Sequence, residues 1–179
     1  MLSNLQKQLQ DQLPGLDKTY PPVEEWNPEY CGEIPLSIND KGEWFYAGSP
    51  FTRPQLVNLF ASVLKKEQDD YYLVTPVEKV KIAVADVPFI ITQWDRDPHT
   101  RQIICTTATA DTFYLDAQHT CELRLDPKQN QYLPYINIRR NLWAKLHQNV
   151  FYQWIDEAQE SAGNVILYSG DYAVSLGQI

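Results

Sequence analysis

Short apolar runs with a two-residue period dominate the middle of this sequence, and they commit most of it to sheet. Ile34, Leu36 and Ile38 alternate with other residues, Trp44 and Tyr46 do so after a turn at Asn39-Asp40-Lys41-Gly42, and Val80, Ile82 and Val84 repeat the pattern. A strand points successive side chains to opposite faces, so each such run needs one packed face and a paired neighbour. Further strands are expected at residues 71–77, where Pro76 forces an edge or a bulge, and at 87–91, 103–107, 112–115, 121–125 and 132–138. Turn chemistry separates them at residues 95–100, at Asp111 and at Asp126-Pro127. Residues 165–168 and 172–176 close the chain as a hairpin about Ser169-Gly170-Asp171.

Helical spacing interrupts this pattern in three places. Leu2, Leu5, Leu9 and Leu13 form a narrow stripe, Ser3 and Gln6 have capping-box spacing, and Pro14-Gly15 stops the helix. A stripe this narrow suits packing on a body formed elsewhere; a partner-binding helix is the alternative reading. After an ordered loop at 20–32 pinned by Trp26 and Tyr30, a second helix opens in Ser49-Pro50-Phe51-Thr52-Arg53-Pro54-Gln55-Leu56. Thr52 and Gln55 have capping-box spacing, Phe51 and Leu56 staple spacing, and Pro54 falls in the first turn. Leu56, Leu59, Phe60, Val63 and Leu64 give its apolar stripe, Lys65 and Lys66 suit its negative end, and Gln68-Asp69-Asp70 ends it. The longest helix is expected at about residues 139–159, with Leu142, Leu146, Val150 and Trp154 in register, His147 on its surface and Gly163-Asn164 beyond its end.

Arg53 does not fit its place. A cation at a helix start faces the positive end of the dipole, which costs a few tenths of a kcal/mol unless an anion sits there. An internal repeat doubles the oddity. The first half reads strand, turn, strand, arginine, helix, strand, turn, strand, and so does the end of the second, with Arg53-x-x-Leu56 matching Arg139-x-x-Leu142. Exposed N–H groups, a positive dipole end and a guanidinium together make an anion site, with Arg140 adjoining the second. The competing reading pairs these arginines with Glu78, Asp86 or another carboxylate inside the protein.

The remaining composition excludes more than it assigns. A net charge of −8 over 179 residues opposes nonspecific binding to nucleic acid or to an anionic membrane. No apolar run approaches the roughly 20 residues of a membrane helix, so a soluble cytoplasmic chain is expected. Cys31, Cys105 and Cys121 read as thiols of a reducing compartment, and a Cys105–Cys121 disulfide would require neighbouring strands. His99, His119 and His147 share no metal-ligand spacing with them, so no metal is expected. Neither G-x-G-x-x-G, nor a Walker loop, nor G-x-S-x-G is present, and no cofactor is expected. What is left for an enzyme is a carboxylate pair, Glu78 and Asp86, in an unrecognised hydrolase.

The motifs Trp26-Asn27-Pro28-Glu29, Gly42-x-Trp44, Gly48-Ser49-Pro50-Phe51-x-Arg53 and Leu73-Val74-Thr75-Pro76-Val77-Glu78-Lys79 resemble those of a bacterial domain-of-unknown-function family. So do Asp86-x-Pro88-Phe89, Tyr135-Ile136-x-Ile138-Arg139 and Ser169-Gly170-Asp171-Tyr172, whereas the leading helix lies outside the shared pattern. The resemblance implies a duplicated α+β core, a pleckstrin-homology-like C-terminal domain, a nucleotide-type ligand at the domain interface and a role in signalling. It carries no catalytic residues. The expected architecture is therefore α+β: an N-terminal helix and linker at 1–19, a domain at 20–84, and a domain at 85–179 whose curved antiparallel sheet is closed by the long helix. The expected function is a non-enzymatic sensor of a small anionic ligand in the inter-domain cleft. Arg53, Arg139 and Arg140 would hold the anion, Trp44 or Tyr46 would stack on a base, and Thr75, Glu78 and Asp86 would supply polar contacts. A protein-interaction module without a small ligand is the alternative.

Overall fold

In the computed structural model, which describes residues 2–12 and 20–178, the chain divides into two compact units, Met1–Asp86 and Val87–Ile179. It is mixed α+β and mostly sheet, in two domains.

The first unit opens with helix α1, Leu2–Gln12, and a single 3-10 turn, Val23–Glu25. Its sheet follows: β1 Tyr30–Ile38, β2 Trp44–Tyr46, β3 Ser49–Pro50, helix α2 Pro54–Ser62, then β4 Leu64–Glu67, β5 Asp70–Val74 and β6 Lys79–Val84. The strand order is β3-β2-β1-β6-β5-β4. Two antiparallel meanders thus meet at a parallel pair, with Ser37 opposite Ala83 and Ile38 opposite Val84. The alternation of β1 is obeyed, since Ile34, Leu36 and Ile38 are each at most 3% exposed. Phe60, Val63, Leu73 and Ile82 join them in the core, with Leu5 and Leu9 of α1. Each such side chain contributes about 1.5–3 kcal/mol through burial. The stripe of α1 is therefore taken up by its own domain; Leu13 and the Pro14-Gly15 stop lie outside the described residues.

The second unit contains β7 Phe89–Arg96, β8 Ile103–Thr107, β9 Thr112–Tyr114, β10 Cys121–Asp126, β11 Gln131–Arg139 and β12 Leu142–Leu146. Helix α3, Gln148–Glu157, and the strands β13 Gln159–Ser161, β14 Asn164–Ser169 and β15 Tyr172–Gln178 complete it. The six-stranded sheet runs β10-β11-β12-β7-β8-β9, and β13-β14-β15 form a separate sheet. Again two antiparallel meanders meet at a parallel pair, here β12 with β7, so the sheet is not wholly antiparallel as expected. The tip of the β14–β15 hairpin is stitched to the sheet from several sides. Ile103 N donates to Ser169 Oγ at 2.7 Å, Ser169 Oγ donates to the Leu115 carbonyl at 2.6 Å, and Cys121 N donates to the Tyr172 hydroxyl at 3.1 Å.

The repeat therefore lies in the sheets, β1 to β6 matching β7 to β12 in order and sense. Its register differs from the one read in the sequence. α2 sits between the third and fourth strands of its sheet, whereas α3 follows the sixth of its own. The helix expected at 139–159 is a strand, β12, followed by a ten-residue helix, and Arg139 ends β11 instead of opening a helix. α2 also stops early. Lys65 and Lys66 belong to β4, where Lys65 pairs with Glu67 at 3.3 Å and Lys66 lies over the Tyr71 ring. Pro76 falls in the turn between β5 and β6, beyond the last residue of β5.

Candidate functional site

Chain direction and capping put Arg53 at the mouth of α2. Arg53 itself, not Thr52, is the N-cap residue, with extended backbone at φ −110 and ψ 102. Its side chain makes no capping bond, so the Thr52–Gln55 capping box does not form. Pro54 supplies the first turn, where a missing N–H costs nothing. Phe51 meets Phe60 edge-on at 6.1 Å between ring centroids, so the apolar clamp on this helix joins those two rings. Phe51 N donates to the Trp44 carbonyl at 3.0 Å, which fixes the approach of the chain.

These restraints leave an open groove of about 260 Å³ at the start of α2, lined by Leu2, Tyr46, Ser49, Phe51, Arg53 and Leu56 among others. Two of the expected site residues, Tyr46 and Arg53, are brought together there. Arg53 is exposed, and its guanidinium makes no hydrogen bond or ion pair with a described residue. Leu56 N and Val57 N already donate to the Arg53 carbonyl and Pro54 has no N–H, so the helix start adds the Gln55 N–H and its dipole to the guanidinium as a place for an anion, and the Tyr46 ring can bear on a flat group.

The other expected residues stand in different surroundings. Trp44 is 5% exposed, and its indole Nε1 finds no hydrogen-bond partner among the described residues. Thr75 is fully buried: its Oγ1 donates to Gln8 Oε1 at 2.7 Å and accepts from Glu78 N at 3.0 Å. Gln8 Nε2 in turn donates to Glu78 Oε2 at 3.4 Å, so Thr75 and Glu78 anchor α1. Asp86 ends the first unit and is partly buried. Arg139, 10% exposed, pairs with Asp111 at 3.3 Å and lies over the Phe89 ring at 5.1 Å. Asp111 also accepts from the hydroxyls of Thr107 and Thr109, so this arginine closes an internal polar cluster. Arg140 sits at positive φ in the β11–β12 turn, its carbonyl accepting from Asn137 Nδ2. His147 is the N-cap of α3, with Nδ1 accepting from Asn149 N at 3.0 Å.

The sequence profile of the N-terminal domain of DUF1285, a domain of unknown function, matches residues 21–87, and that of the DUF1285 C-terminal domain matches residues 88–175. The chain belongs to the DUF1285 family. A DUF1285 protein from Silicibacter pomeroyi DSS-3 is similar over 98% of this chain and 95% of its own, with 32% identity and a TM-score of 0.85. A DUF1285 protein from Shewanella baltica OS155 is similar over 70% of this chain and 94% of its own, with 30% identity and a TM-score of 0.58. No curated protein matches the chain. The DUF1285 profile starts after α1, so the helix that contributes Leu2 to the groove precedes the residues the profile matches.

A second cavity, of about 530 Å³, was missed in the sequence. It lies in the C-terminal domain beside the Ser169–Tyr172 motif, with Thr100, Gln102 and Asp116 on its walls. The loop that carries Thr100 is held by Asp97, whose carboxyl the N–H groups of His99 and Thr100 and then the Tyr114 hydroxyl hold below the usual aspartate range. Among the described residues no group of three or more His, Cys, Asp or Glu side chains could hold a metal, and no helix is long and apolar enough to cross a membrane.

Proposed function

We propose that this DUF1285 protein is a non-enzymatic receptor for a small anionic ligand of the nucleotide type, acting in bacterial signalling. The groove at the start of α2 in the N-terminal domain is its binding site. One observation carries the reading: an exposed arginine with no partner among the described residues shares a groove with a tyrosine ring at a helix N-terminus. The guanidinium would take phosphate oxygens in a forked pair of charge-assisted bonds, and the ring would take the flat base. The resemblance implies the signalling role and a pleckstrin-homology-like second domain. A six-stranded sheet followed by a helix supports that fold kinship, while the parallel centre of the sheet and the three strands after the helix depart from it. The interaction-module alternative is weakened by α1, whose leucines Leu5 and Leu9 are already buried.

Thermal unfolding across a panel of mono-, di- and cyclic nucleotides with inorganic phosphate tests the proposal. A ligand that binds only the folded state raises the melting temperature by mass action. At least one nucleotide should raise it, and Arg53→Ala should remove the gain while leaving the unliganded melting temperature in place. No shift from any of these anions, or a shift that survives Arg53→Ala, overturns the reading.

A further inference from the structure

The cavity beside the β14–β15 tip is independent of the α2 groove and has different chemistry. Its walls come from three separate stretches of chain, and hydrogen bonds hold each to the next. Ser169 joins Ile103 to Leu115, and Gly170 N donates to the Arg101 carbonyl at 3.0 Å. Gly170 has φ +56, and a Cβ there would lie 3.1 Å from Gln102 Cγ, so the tip and the wall are in close approach. The Tyr172 hydroxyl accepts from Cys121 N, which helps to fix a ring on the lining. A volume of about 530 Å³ is within the range of small-molecule sites, which are usually preformed in this way.

Several polar groups on these walls have hydrogen-bonding capacity left. Asp116 Oδ1 accepts from Gln118 N and His119 N and lies 3.2 Å from His119 Nδ1, but its second oxygen bonds to no described residue. The Asp171 carboxylate and the Gln102 side-chain amide make no bond to a described residue either. The lining thus offers carboxylate acceptors, an amide that both donates and accepts, the Thr100 hydroxyl and an aromatic face, and it contains no lysine or arginine. With no lysine or arginine on the walls, the two carboxylates repel phosphate. An organic cation would use the carboxylates and the amide oxygen but leave the amide N–H donors to water. Adjacent hydroxyl groups on a compact ring match the whole set, because each can donate to a carboxylate and accept from the amide. We propose that this cavity is a second binding site, for a neutral polyhydroxylated ligand such as a monosaccharide or cyclic polyol.

Saturation-transfer NMR and thermal unfolding of the full chain with D-glucose, D-ribose and myo-inositol test it, with spermidine and inorganic phosphate as competitors. At least one polyol should bind. Asp171→Ala and Gln102→Ala should each weaken it roughly tenfold, the effect of losing one hydrogen bond to or from the ligand. Both side chains bond to no described residue, so the variants should melt as the parent does, and Arg53→Ala should leave polyol binding unchanged. The proposal is overturned if none of the three polyols binds, if binding survives both substitutions, or if spermidine or phosphate binds more tightly than any polyol.

Discussion

Lys145 Nζ donates to Asp126 Oδ2 across 2.7 Å, with the two side chains 5% and 0% exposed. Burial pushes the Asp126 carboxyl up, but the Lys145 ammonium and the N–H groups of Gln129 and Lys128 outweigh it and hold the group below the usual aspartate range. Stability from a depressed carboxyl is fully present above the unfolded aspartate value of about 3.9 and is lost as pH falls through the folded one. Denaturant unfolding should therefore show a steep loss below about pH 4. At neutral pH, Lys145→Met alone should cost about 3–5 kcal/mol by stranding a buried charge, and adding Asp126→Asn should restore part of it. Losses that simply add would show that the pair is not coupled.

Thr75 and Gln8 behave as one joint in the N-terminal domain. Thr75→Val would leave the Glu78 N–H without its acceptor and Gln8 Oε1 without its donor, costing about 1–3 kcal/mol. Gln8→Ala should speed amide hydrogen exchange along α1 with a smaller global loss. In a double-mutant cycle the two should be clearly non-additive; independent effects would mean that α1 is held by Leu5 and Leu9 alone.

The three thiols should separate by reactivity. Burial pushes the Cys121 thiol up to about 12 and the Cys105 thiol well above the usual range, whereas Cys31 is exposed. β8 and β10, which carry Cys105 and Cys121, are not neighbours in the sheet, and all three cysteines are free. The thiolate is the reactive form, so an aromatic disulfide reagent at mildly alkaline pH should label exposed Cys31 quickly, half-buried Cys121 more slowly and buried Cys105 only after unfolding. Labelling of Cys105 in the native protein as fast as that of Cys31 would contradict its burial.

The strands with one polar face were legible because burial on a single face writes period two into the sequence, as Ile34, Leu36 and Ile38 do in β1. β12 was not. Leu142 and Leu146 are four apart, a spacing shared by one helix face and by every second turn of a strand's pleat, and Ala144 between them is equally buried. Its other face carries Lys145, buried by the pair with Asp126, so the polar alternation that would have marked a strand is missing. β4 hid for a related reason: Lys65 and Lys66 are good residues for a helix end, and only pairing with β5 makes them a strand. The parallel joins at the centre of each sheet have no local signal, since their partners lie far apart in sequence. The dipole argument placed Arg53 at a helix start, where the structure has it, but the same argument misplaced Arg139, whose expected helix start is a strand end.

That contrast makes the two arginines the sharpest test of which one serves a ligand. Arg139 is buried against Asp111 and the Phe89 ring, so Arg139→Met should cost about 3–5 kcal/mol in urea unfolding, and Asp111→Asn in the same background should recover part of it. Arg53 is exposed and caps α2 without a side-chain bond, so Arg53→Ala should change stability by no more than about 0.5 kcal/mol. Removing a cation from a positive dipole end can even stabilise slightly, by a few tenths of a kcal/mol. A marked loss in Arg53→Ala would assign that arginine a structural role and take the cation out of the groove's chemistry. A slightly stabilised variant would mark it as a residue kept at a cost to the fold, and a neutral one would leave the guanidinium without a structural task.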